Sequence, residues 1–376
     1  MADATTKSTV NVGVIGYGVS ATIFHIPFIA ATPSLKLHSI LQRNPAASAL
    51  SAPRDHPAAR HFTALAPFLA DAELDLVVVT TTPETHFSLA QEALRAGKHV
   101  LVEKPFVPSA AEADALIALA RERRRLLCVY QNRRWDGDFR TVQKLLAAAD
   151  RPLGRVVEFE THFDRLRLDK PTGWKGALGI DRGGSALYDL GTHLIDQVYV
   201  LFGAPRSVFA SLASQRDGLR AGPQRPDLQP DSVTAQLFYD AGLVALVRIA
   251  VASVETRQPR FWVRGTAGSY RKAGLDPQEP QLKRGLKPGD AGFGAEAAEW
   301  NGKLTLFDQA DGSTRELDWP NADPVTYTEF YRLLADAVLR NREQDLPVPA
   351  EQARDVLRII EAVKESARSH REVDLS

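Results

Sequence analysis

Two ionisable side chains, Asp189 and His193, lie four residues apart in a segment with helix-like boundaries. The segment follows two glycines at 183–184 and ends before a Gly-Ala-Pro sequence at 203–205. Side chains at this spacing share one face of a helix, so a carboxylate and an imidazole would point the same way. An imidazole titrates near neutral pH, which suits it to accept and return a proton. These residues alone predict either a proton-transfer site or a hydrogen-bonding pair within the helix.

A glycine-rich loop follows the first apolar run of the chain. Residues 16–21 read GYGVSA, a G-x-G-x-x-A pattern that comes directly after Val10–Ile15. Gly16 permits a tight turn, Gly18 lets a diphosphate approach the backbone, and Ala21 lets the next helix pack closely on the strand. The first N–H groups of that helix would then face the phosphates. The loop predicts a dinucleotide site.

The end of the second apolar run bears on which dinucleotide is bound. NAD sites usually place Asp or Glu there to bind the ribose 2′-hydroxyl. Here the run ends at Leu41 and continues with Gln42, Arg43 and Asn44, so the acid is missing. The guanidinium of Arg43 could hold the 2′-phosphate of NADP through two charge-assisted hydrogen bonds. We therefore predict NADP(H) over NAD(H); the alternative is an ordinary solvated loop arginine.

The elements around these residues indicate a doubly wound parallel α/β domain, because short apolar runs alternate with amphipathic stretches up to about Tyr130. Ser109 and Glu112 have capping-box spacing, and Gly97 can end the preceding helix. Pro27 predicts that the helix after the glycine loop either begins late or is kinked. The expected strands are 10–15, 35–41, 76–80, 99–102 and 126–130.

The pattern changes after about residue 131. Longer β-branched and aromatic segments without intervening helices favour a largely antiparallel sheet in an α+β domain. We predict a Rossmann domain over residues 1–130, and over residues 131–376 a domain for substrate binding and oligomerisation whose last helix could pack back on the first. The expected strands are 156–163, 206–213, 232–239, 243–251 and 260–264, the expected helices 138–149, 328–340 and 351–369, and the expected surface loops 218–231 and 277–294.

Composition excludes several classes of function. Lys plus Arg and Asp plus Glu both number 46, so the formal net charge of +0 gives no argument for binding nucleic acid or an anionic membrane. No apolar stretch approaches ~18 residues and residues 1–9 lack a signal segment, so we expect a cytoplasmic protein.

The single cysteine, Cys128, is expected in the core. No metal site is predicted, because the spacing of histidines and acids suggests none, and the histidines at 38, 56, 61 and 370 are expected at the surface or in loops.

Longer motifs resemble the glucose–fructose oxidoreductase/inositol dehydrogenase (Gfo/Idh/MocA) family over nearly the whole chain. They are 77–86 (VVVTTTPETH), 93–105 (ALRAGKHVLVEKP), 131–136 (QNRRWD), 163–165 (FDR), 183–193 (GGSALYDLGTH) and 274–279 (GLDPQE). Residues 24–27 (FHIP) and the last of these motifs look most like the NADP-dependent scyllo-inositol dehydrogenase branch.

The resemblance implies a Rossmann domain followed by an open-faced mixed sheet, with the active site between them. It implies that residues 103–105 end a cofactor-domain strand, often with a cis Lys–Pro bond, and that open sheet faces pair in homodimers or homotetramers. Trp135 and Trp174 could contact the nicotinamide half of the cofactor or pack in the core. The expected cofactor-binding residues are Gly16, Tyr17, Gly18, Ser20, Arg43, Thr81, Thr82, Pro83, His86, Glu103, Lys104, Trp135 and Trp174.

Within this resemblance, Lys104 favours a catalytic interpretation of the pair at 189 and 193. Dehydrogenation of an alcohol needs a base and a nearby positive charge. We assign His193 as the base in oxidation and the acid in reduction, and Lys104 as the donor to the reacting oxygen. Asp189 would bind an adjacent hydroxyl. The expected substrate-binding residues are Lys104, Asp164, Arg165, Asp189 and His193.

These polar groups favour a polyol or sugar of inositol type as the substrate. Aldoses, anhydro-ketoses, keto-inositols and dihydrodiols remain open. A non-catalytic nucleotide-sensing regulator is an alternative of another class, and intact Lys104, Asp189 and His193 argue against it. A cofactor-assisted glycoside hydrolase is a third alternative, which the branch-like motifs disfavour.

Overall fold

The fold is built on two β-sheets. The computed structural model describes residues 7–47, 49–225 and 228–375, apart from the side chains of Ala47 and Trp174. The strands are β1 (Val10–Ile15), β2 (Leu35–Leu41), β3 (Arg60–Phe62), β4 (Leu76–Val79), β5 (His99–Val102), β6 (Leu127–Val129), β7 (Val156–Asp164), β8 (Ser207–Ser214), β9 (Leu219–Arg220), β10 (Ser232–Phe238), β11 (Val244–Ala250), β12 (Pro259–Gly265), β13 (Gly268–Ala273), β14 (Gly302–Phe307), β15 (Thr314–Trp319) and β16 (Val373–Asp374). The α-helices are α1 (Ile26–Ala31), α2 (Ala52–Asp55), α3 (Leu65–Leu69), α4 (Pro83–Arg95), α5 (Ala110–Arg123), α6 (Gly137–Ala147), α7 (Trp174–Ala177), α8 (Thr192–Phe202), α9 (Gln278–Lys283), α10 (Tyr327–Arg340) and α11 (Ala350–Ser369). Two π-helical turns, Ser20–His25 and Leu187–Gly191, precede α1 and α8.

The first sheet is a six-stranded parallel sheet with the order β3-β2-β1-β4-β5-β6. All its pairings are parallel, as expected for a doubly wound domain. The strands β1 and β4 are almost entirely buried, which explains their continuous apolar runs. The chain reverses its direction of winding between β1 and β4, so the loops after these strands diverge and leave a crevice at their carboxyl ends. The Rossmann fold predicted from the sequence is confirmed; only the three-residue β3 was not expected.

The second sheet has ten strands, with the order β15-β14-β13-β12-β7-β11-β10-β8-β16 and β9 paired to β8. Its pairings are antiparallel except for β7 with β11, which are parallel. Along β10, Val233, Ala235 and Leu237 are buried and alternate with more accessible residues, because α8 and α11 cover one face of this sheet. The mixed sheet is as predicted; the strands β13–β16 were not expected.

The C-terminal helices connect the two sheets. α11 packs against α5 of the first domain, and α10 contacts both α1 and β1. The Tyr331 hydroxyl on α10 lies 2.6 Å from Nδ1 of His25, which sits at the end of the turn after the glycine loop. No helix in the described residues is long and apolar enough to cross a membrane, α11 included. The elements that meet at the cleft are therefore fixed to one another through a shared core.

The structure decides between the two alternatives for Pro27 and corrects the two expected loops. The helix after the glycine loop begins late: a π-helical turn comes first, and Pro27 then lies in the first turn of α1, where its missing N–H costs nothing. The expected surface loop 277–294 contains α9, with Gln278 and Leu282 buried. The Asp276 carboxylate accepts the Gln278 N–H at 2.9 Å, and the Gln278 side chain binds the Trp135 carbonyl and the Tyr327 N–H, so these contacts hold the helix in place despite the Pro/Gly-rich composition. The other expected loop, 218–231, contains β9, paired to β8.

Candidate active site

A large cleft lies between the two sheets, at the carboxyl ends of the parallel strands. Its volume is about 1380 Å³, more than the roughly 300–1,000 Å³ of an ordinary small-molecule site. One side is formed by the glycine loop, residues 80–83 and residues 103–105, and the other by residues of β7, the turn Leu187–Gly191 and α8. The cleft has room for a dinucleotide and a small substrate together.

The glycine loop is shaped for close approach by a ligand. Gly16 has φ +96°, and a Cβ there would lie 2.9 Å from Oγ1 of Thr80, so only glycine fits. A Cβ on Gly18 would meet nothing within 4 Å, because this residue faces the open cleft. The Thr80 N–H donates to the Ile15 carbonyl at 3.0 Å and holds the ends of β1 and β4 together. The loop therefore presents its backbone to the cleft, which is the arrangement a diphosphate requires.

Glu103 ties the glycine loop to the segment that carries the lysine. Its carboxylate accepts hydrogen bonds from the Ser20 hydroxyl and from the Lys104 N–H at 2.7 Å, and lies 3.0 Å from Nε2 of His25. Burial opposes its ionisation, but the hydrogen bond and charge of His25 and the charge of Lys104 outweigh this and lower the pKa of Glu103 to about 2. The Lys104–Pro105 peptide bond is cis, as the resemblance implied. Glu103 thus orients its neighbours as an ionised group.

The ammonium of Lys104 meets Asp189 across the cleft. Its Nζ donates to the Asp189 backbone carbonyl at 2.8 Å and lies 3.1 Å from Oδ1 of the same residue. The other carboxylate oxygen is 3.2 Å from Nζ of Lys175. Burial opposes ionisation of Asp189, and the two ammonium charges overcome it and hold the pKa of Asp189 well below its usual range. A fixed carboxylate therefore positions the lysine predicted to contact the substrate.

His193 lies in the first turn of α8 and lines the same cleft. Its side chain is buried, and its Nδ1 has no hydrogen-bond partner among the described residues. Burial lowers the pKa of His193 well below its usual value, and the charges of Lys104 and Arg133 lower it further. The imidazole is therefore neutral at neutral pH and has an unsatisfied nitrogen, which is unusual for a purely structural histidine.

The structure thus brings most predicted site residues to one cleft. Arg43 lies there too, exposed at the end of β2. The predicted residues that line the cleft are Gly16, Tyr17, Gly18, Ser20, Arg43, Thr81, Thr82, Pro83, Glu103, Lys104, Arg165, Asp189 and His193.

Three predicted contact residues lie behind the wall of the cleft instead. His86 is buried, with Nδ1 3.0 Å from the Pro105 carbonyl and Nε2 3.1 Å from the Thr81 carbonyl, so its ring braces both segments. Trp135 is packed edge-on against Phe330 with ring centres 5.4 Å apart. The packing alternative is therefore the one that the structure favours for Trp135. The side chain of Trp174 lies outside the described part of the chain.

Asp164 is the third residue displaced from the cleft. Successive side chains of a strand point to opposite faces, and Phe163 and Arg165, on either side of Asp164, take the cleft side. Asp164 instead lies 2.9 Å from Nδ1 of His162, whose other nitrogen is 3.1 Å from Glu160. The sequence of residues 163–165 did not show which face of the strand would point to the cleft.

The sequence predicted no role for an ion pair that lines the cleft. Arg133 and Glu279 both line it and bind each other, and Arg133 also lies 3.1 Å from the buried Asp136. Burial opposes ionisation of Glu279, but Arg133 and Lys283 lower its pKa to about 2. Both residues fall within motifs that carried the family resemblance, which was the available signal.

A cluster on the first domain also escaped the sequence interpretation. His38 is buried on β2 rather than at the surface, and its Nε2 lies 2.9 Å from Asp71. With Glu73 these groups have the spacing of metal ligands. Arg60 forms ion pairs with both carboxylates, at 2.8 and 2.7 Å, so a guanidinium already supplies the positive charge there. The cluster is explained as a structural ion-pair network.

A parallel sheet with a glycine loop, facing a lysine, a carboxylate and a neutral histidine, defines a Rossmann-fold oxidoreductase that uses a nicotinamide cofactor. Residues 10–131 match the family model described as oxidoreductase family, NAD-binding Rossmann fold, and residues 149–375 match oxidoreductase family, C-terminal alpha/beta domain. The chain belongs to the Gfo/Idh/MocA family of oxidoreductases and is an NAD(P)-dependent dehydrogenase.

Relatives match the chain over nearly its full length. It is 38% identical over 378 residues to uncharacterized oxidoreductase C115.03 of Schizosaccharomyces pombe, covering 97% of this chain and 99% of the relative. It is 33% identical over 370 residues to scyllo-inositol 2-dehydrogenase (NADP(+)) IolW of Bacillus subtilis, covering 98% and 96%. The solved structure of the oxidoreductase YvaA of Bacillus subtilis matches with a TM-score of 0.88 at 33% identity, covering 98% of this chain and 99% of that one.

Proposed function

We propose that the protein is an NADP(H)-dependent oxidoreductase that moves hydride between the nicotinamide and a carbinol or carbonyl carbon of a polyol or sugar. Residues 1–130 would hold the cofactor and residues 131–376 the substrate. The observation that carries the proposal is the convergence of Lys104, Asp189 and His193 in the cleft that the glycine loop also lines. The NADP-dependent inositol dehydrogenase among the relatives supports the substrate class.

The residues of the cleft fit a nicotinamide dinucleotide, which would supply or accept the hydride. Lys104 has three N–H donors, and Asp189 takes two of them. The third can donate to the reacting oxygen and stabilise the negative charge that develops when an alcohol loses its proton or a ketone gains hydride. A single donor of this kind contributes about 10²–10³-fold to the rate in other enzymes.

His193 would take the hydroxyl proton in oxidation and return it in reduction. Its neutral state and unpartnered Nδ1 leave the ring free to do so. Asp189 remains ionised and can accept a hydrogen bond from a neighbouring hydroxyl while it holds Lys104 in place. A substrate with adjacent hydroxyls would bind both His193 and Asp189, whereas a simple alcohol would leave Asp189 without a hydroxyl contact.

Aldoses, keto-sugars and dihydrodiols are alternative substrates, and a nucleotide-sensing regulator is the alternative without turnover. A panel of inositols, aldoses, keto-sugars and dihydrodiols, followed by NADPH absorbance in both directions, tests the proposal. We expect turnover with at least one vicinal diol or its ketone. NADPH binding without turnover of any member would favour the regulator.

We also expect a homodimer or homotetramer, which light scattering during size-exclusion chromatography would measure.

Arg43 is expected to set the preference for NADPH. It lies exposed in the cleft at the end of β2, and its side chain has no ion pair or hydrogen bond with another described residue. Arg43→Ala should weaken NADPH binding about 10-fold or more, since hydrogen bonds to charged groups contribute roughly 1.5–3 kcal/mol, and should leave NADH binding unchanged. Fluorescence titration of both cofactors measures the change. Equal affinities for the two cofactors in the unmutated protein would reject this role.

Gly18→Ala separates nucleotide binding from folding. The added Cβ meets no atom within 4 Å, so the melting temperature should not change, but the methyl group would occupy the space through which a diphosphate reaches the loop. We expect NADPH affinity to fall at least 10-fold. Gly16→Ala is the contrasting variant and should lower stability as well, because φ is +96° and Thr80 lies too close. Unchanged NADPH affinity in Gly18→Ala would place the diphosphate elsewhere.

A further inference from the structure

We infer that the substrate carries an anionic oxygen group, a carboxylate or a phosphate, that binds the guanidinium of Arg165 with Arg167 beside it. This inference rests on the proposed function and narrows its substrate class from neutral polyols to anionic ones. Hydride transfer does not itself require such a group; the charges of the cleft indicate it.

The cleft carries an excess of positive charge. Of the described residues that line it, nine are Lys or Arg and five are Asp or Glu. Six of the nine cations form ion pairs with four of these acids. The paired cations are Lys104 and Lys175 with Asp189, Arg133 and Lys283 with Glu279, Lys170 with Asp217, and Arg216 with Asp231. Arg43, Arg165 and Arg167 have no such partner in the described part of the chain.

Of these three arginines, Arg165 is the strongest indication of an anion site because it is half-buried. Its Nε is buried without a hydrogen-bond partner, and no described residue accepts a hydrogen bond from the rest of its guanidinium. The group lies 5.7 Å from the Phe163 ring, whose other neighbour is the guanidinium of Arg133 at 5.3 Å. Burial lowers the pKa of Arg165 from its ordinary value, with Asp189 opposing the shift. A desolvated cation with unused donors is costly unless a ligand completes it.

The location of Arg165 associates it with the substrate. It follows β7 on the side of the cleft formed by the second sheet, whereas the glycine loop and Arg43 belong to the first sheet. The Arg165 guanidinium lies against the same Phe163 ring as that of Arg133, which binds Glu279, and these residues line the cleft that also contains Lys104, Asp189 and His193. Arg167, two residues further on, is exposed and lines the same cleft. Its carbonyl accepts hydrogen bonds from Arg216 at 2.7 and 3.1 Å, which fixes the backbone of this segment.

A guanidinium recognises carboxylate and phosphate by the same chemistry. Its planar N–H groups form two parallel hydrogen bonds to a pair of oxygens, which neither a hydroxyl nor a ring oxygen can match. Because hydrogen bonds to charged groups contribute more than neutral ones, an anionic substituent should tighten binding about 10- to 100-fold over the matching neutral sugar. Sugar acids and sugar phosphates are the two sources of such a group.

Binding to the NADPH-loaded protein tests the inference without relying on turnover. Titration calorimetry would compare methyl β-D-glucopyranoside with methyl β-D-glucuronoside and with the 6-phosphate of the glucoside, and would repeat the comparison in the galacto and manno configurations. We expect a charged form to bind at least 10-fold more tightly than its neutral counterpart in one configuration. The form that binds more tightly, carboxylate or phosphate, identifies the source.

Variants assign the effect to Arg165. Arg165→Gln should remove the preference for the charged sugar without altering NADPH affinity, and Arg165→Lys should restore part of it. Arg315→Gln removes the same charge from exposed β15 and should change nothing.

Equal affinity of charged and neutral sugars in all three configurations would overturn the inference. So would a loss of NADPH affinity in Arg165→Gln, because the arginine would then serve the cofactor. A charge preference without turnover of any sugar would keep the anion site and reject the proposed function.

Discussion

Lys104→Met is expected to lower kcat by about 10²–10³-fold while NADPH still binds. Methionine keeps the length and much of the apolar stem of the side chain but removes the ammonium that faces the reacting oxygen. Folding should be retained, because Asp189 keeps its second ammonium partner, Lys175. Stopped-flow measurement of hydride transfer together with NADPH titration would separate the chemical step from cofactor affinity.

Lys175→Met is the matched comparison for this variant. Both ammonium groups bind the Asp189 carboxylate, at 3.1 and 3.2 Å, but Lys175 is the more exposed of the two. Because only Lys104 also binds the Asp189 carbonyl, we expect the Lys175 variant to lose less than 10-fold in kcat. If both variants lost activity equally, the essential property would be the charge around Asp189 and not the donor at position 104.

His193→Asn is expected to lower turnover by about 10²–10⁴-fold and to change its pH dependence. Burial and the charges of Lys104 and Arg133 lower the pKa of His193, so the neutral ring predominates at neutral pH. Oxidation needs the neutral form, so its kcat/KM should stay level through neutral pH and fall only at a pH well below the ordinary histidine pKa of about 6.5, where the ring gains a proton. Reduction needs the protonated form, so its kcat/KM should rise as the pH falls.

Asparagine cannot titrate, so both of these pH dependences should disappear in the variant. Its residual rate should be the same across pH 5 to 8 apart from any effect of substrate ionisation, which measurement with a neutral polyol avoids. His162→Asn is the control variant, because the buried His162 is bound between Glu160 and Asp164 and does not line the cleft. A pH profile that survives in His193→Asn would move the proton-transfer role to another residue.

Local patterns were enough to predict most of the fold. Apart from β3, the strands of the first sheet are short apolar runs, and their alternation with helices leaves little choice of topology. The Ser109 cap, whose hydroxyl accepts the Glu112 N–H at 3.3 Å, was likewise legible from the sequence. Segments such as α9 and β13–β16 were missed because their stability comes from partners distant in the chain; in α9, for example, the Gln278 side chain binds the Trp135 carbonyl and the Tyr327 N–H.

For the site, the sequence by itself determined the chemical groups: the glycine loop, the lysine at 104, and the carboxylate and imidazole at 189 and 193. Only the tertiary structure decided which side chains face the cleft. Strand geometry turned Asp164 away and Arg165 inward, and packing placed His86 behind the wall. The tertiary structure also decided the electrostatic state of these side chains. The pKa of His193 and the unpaired charge of Arg165 depend on burial and on neighbours brought together from distant parts of the chain.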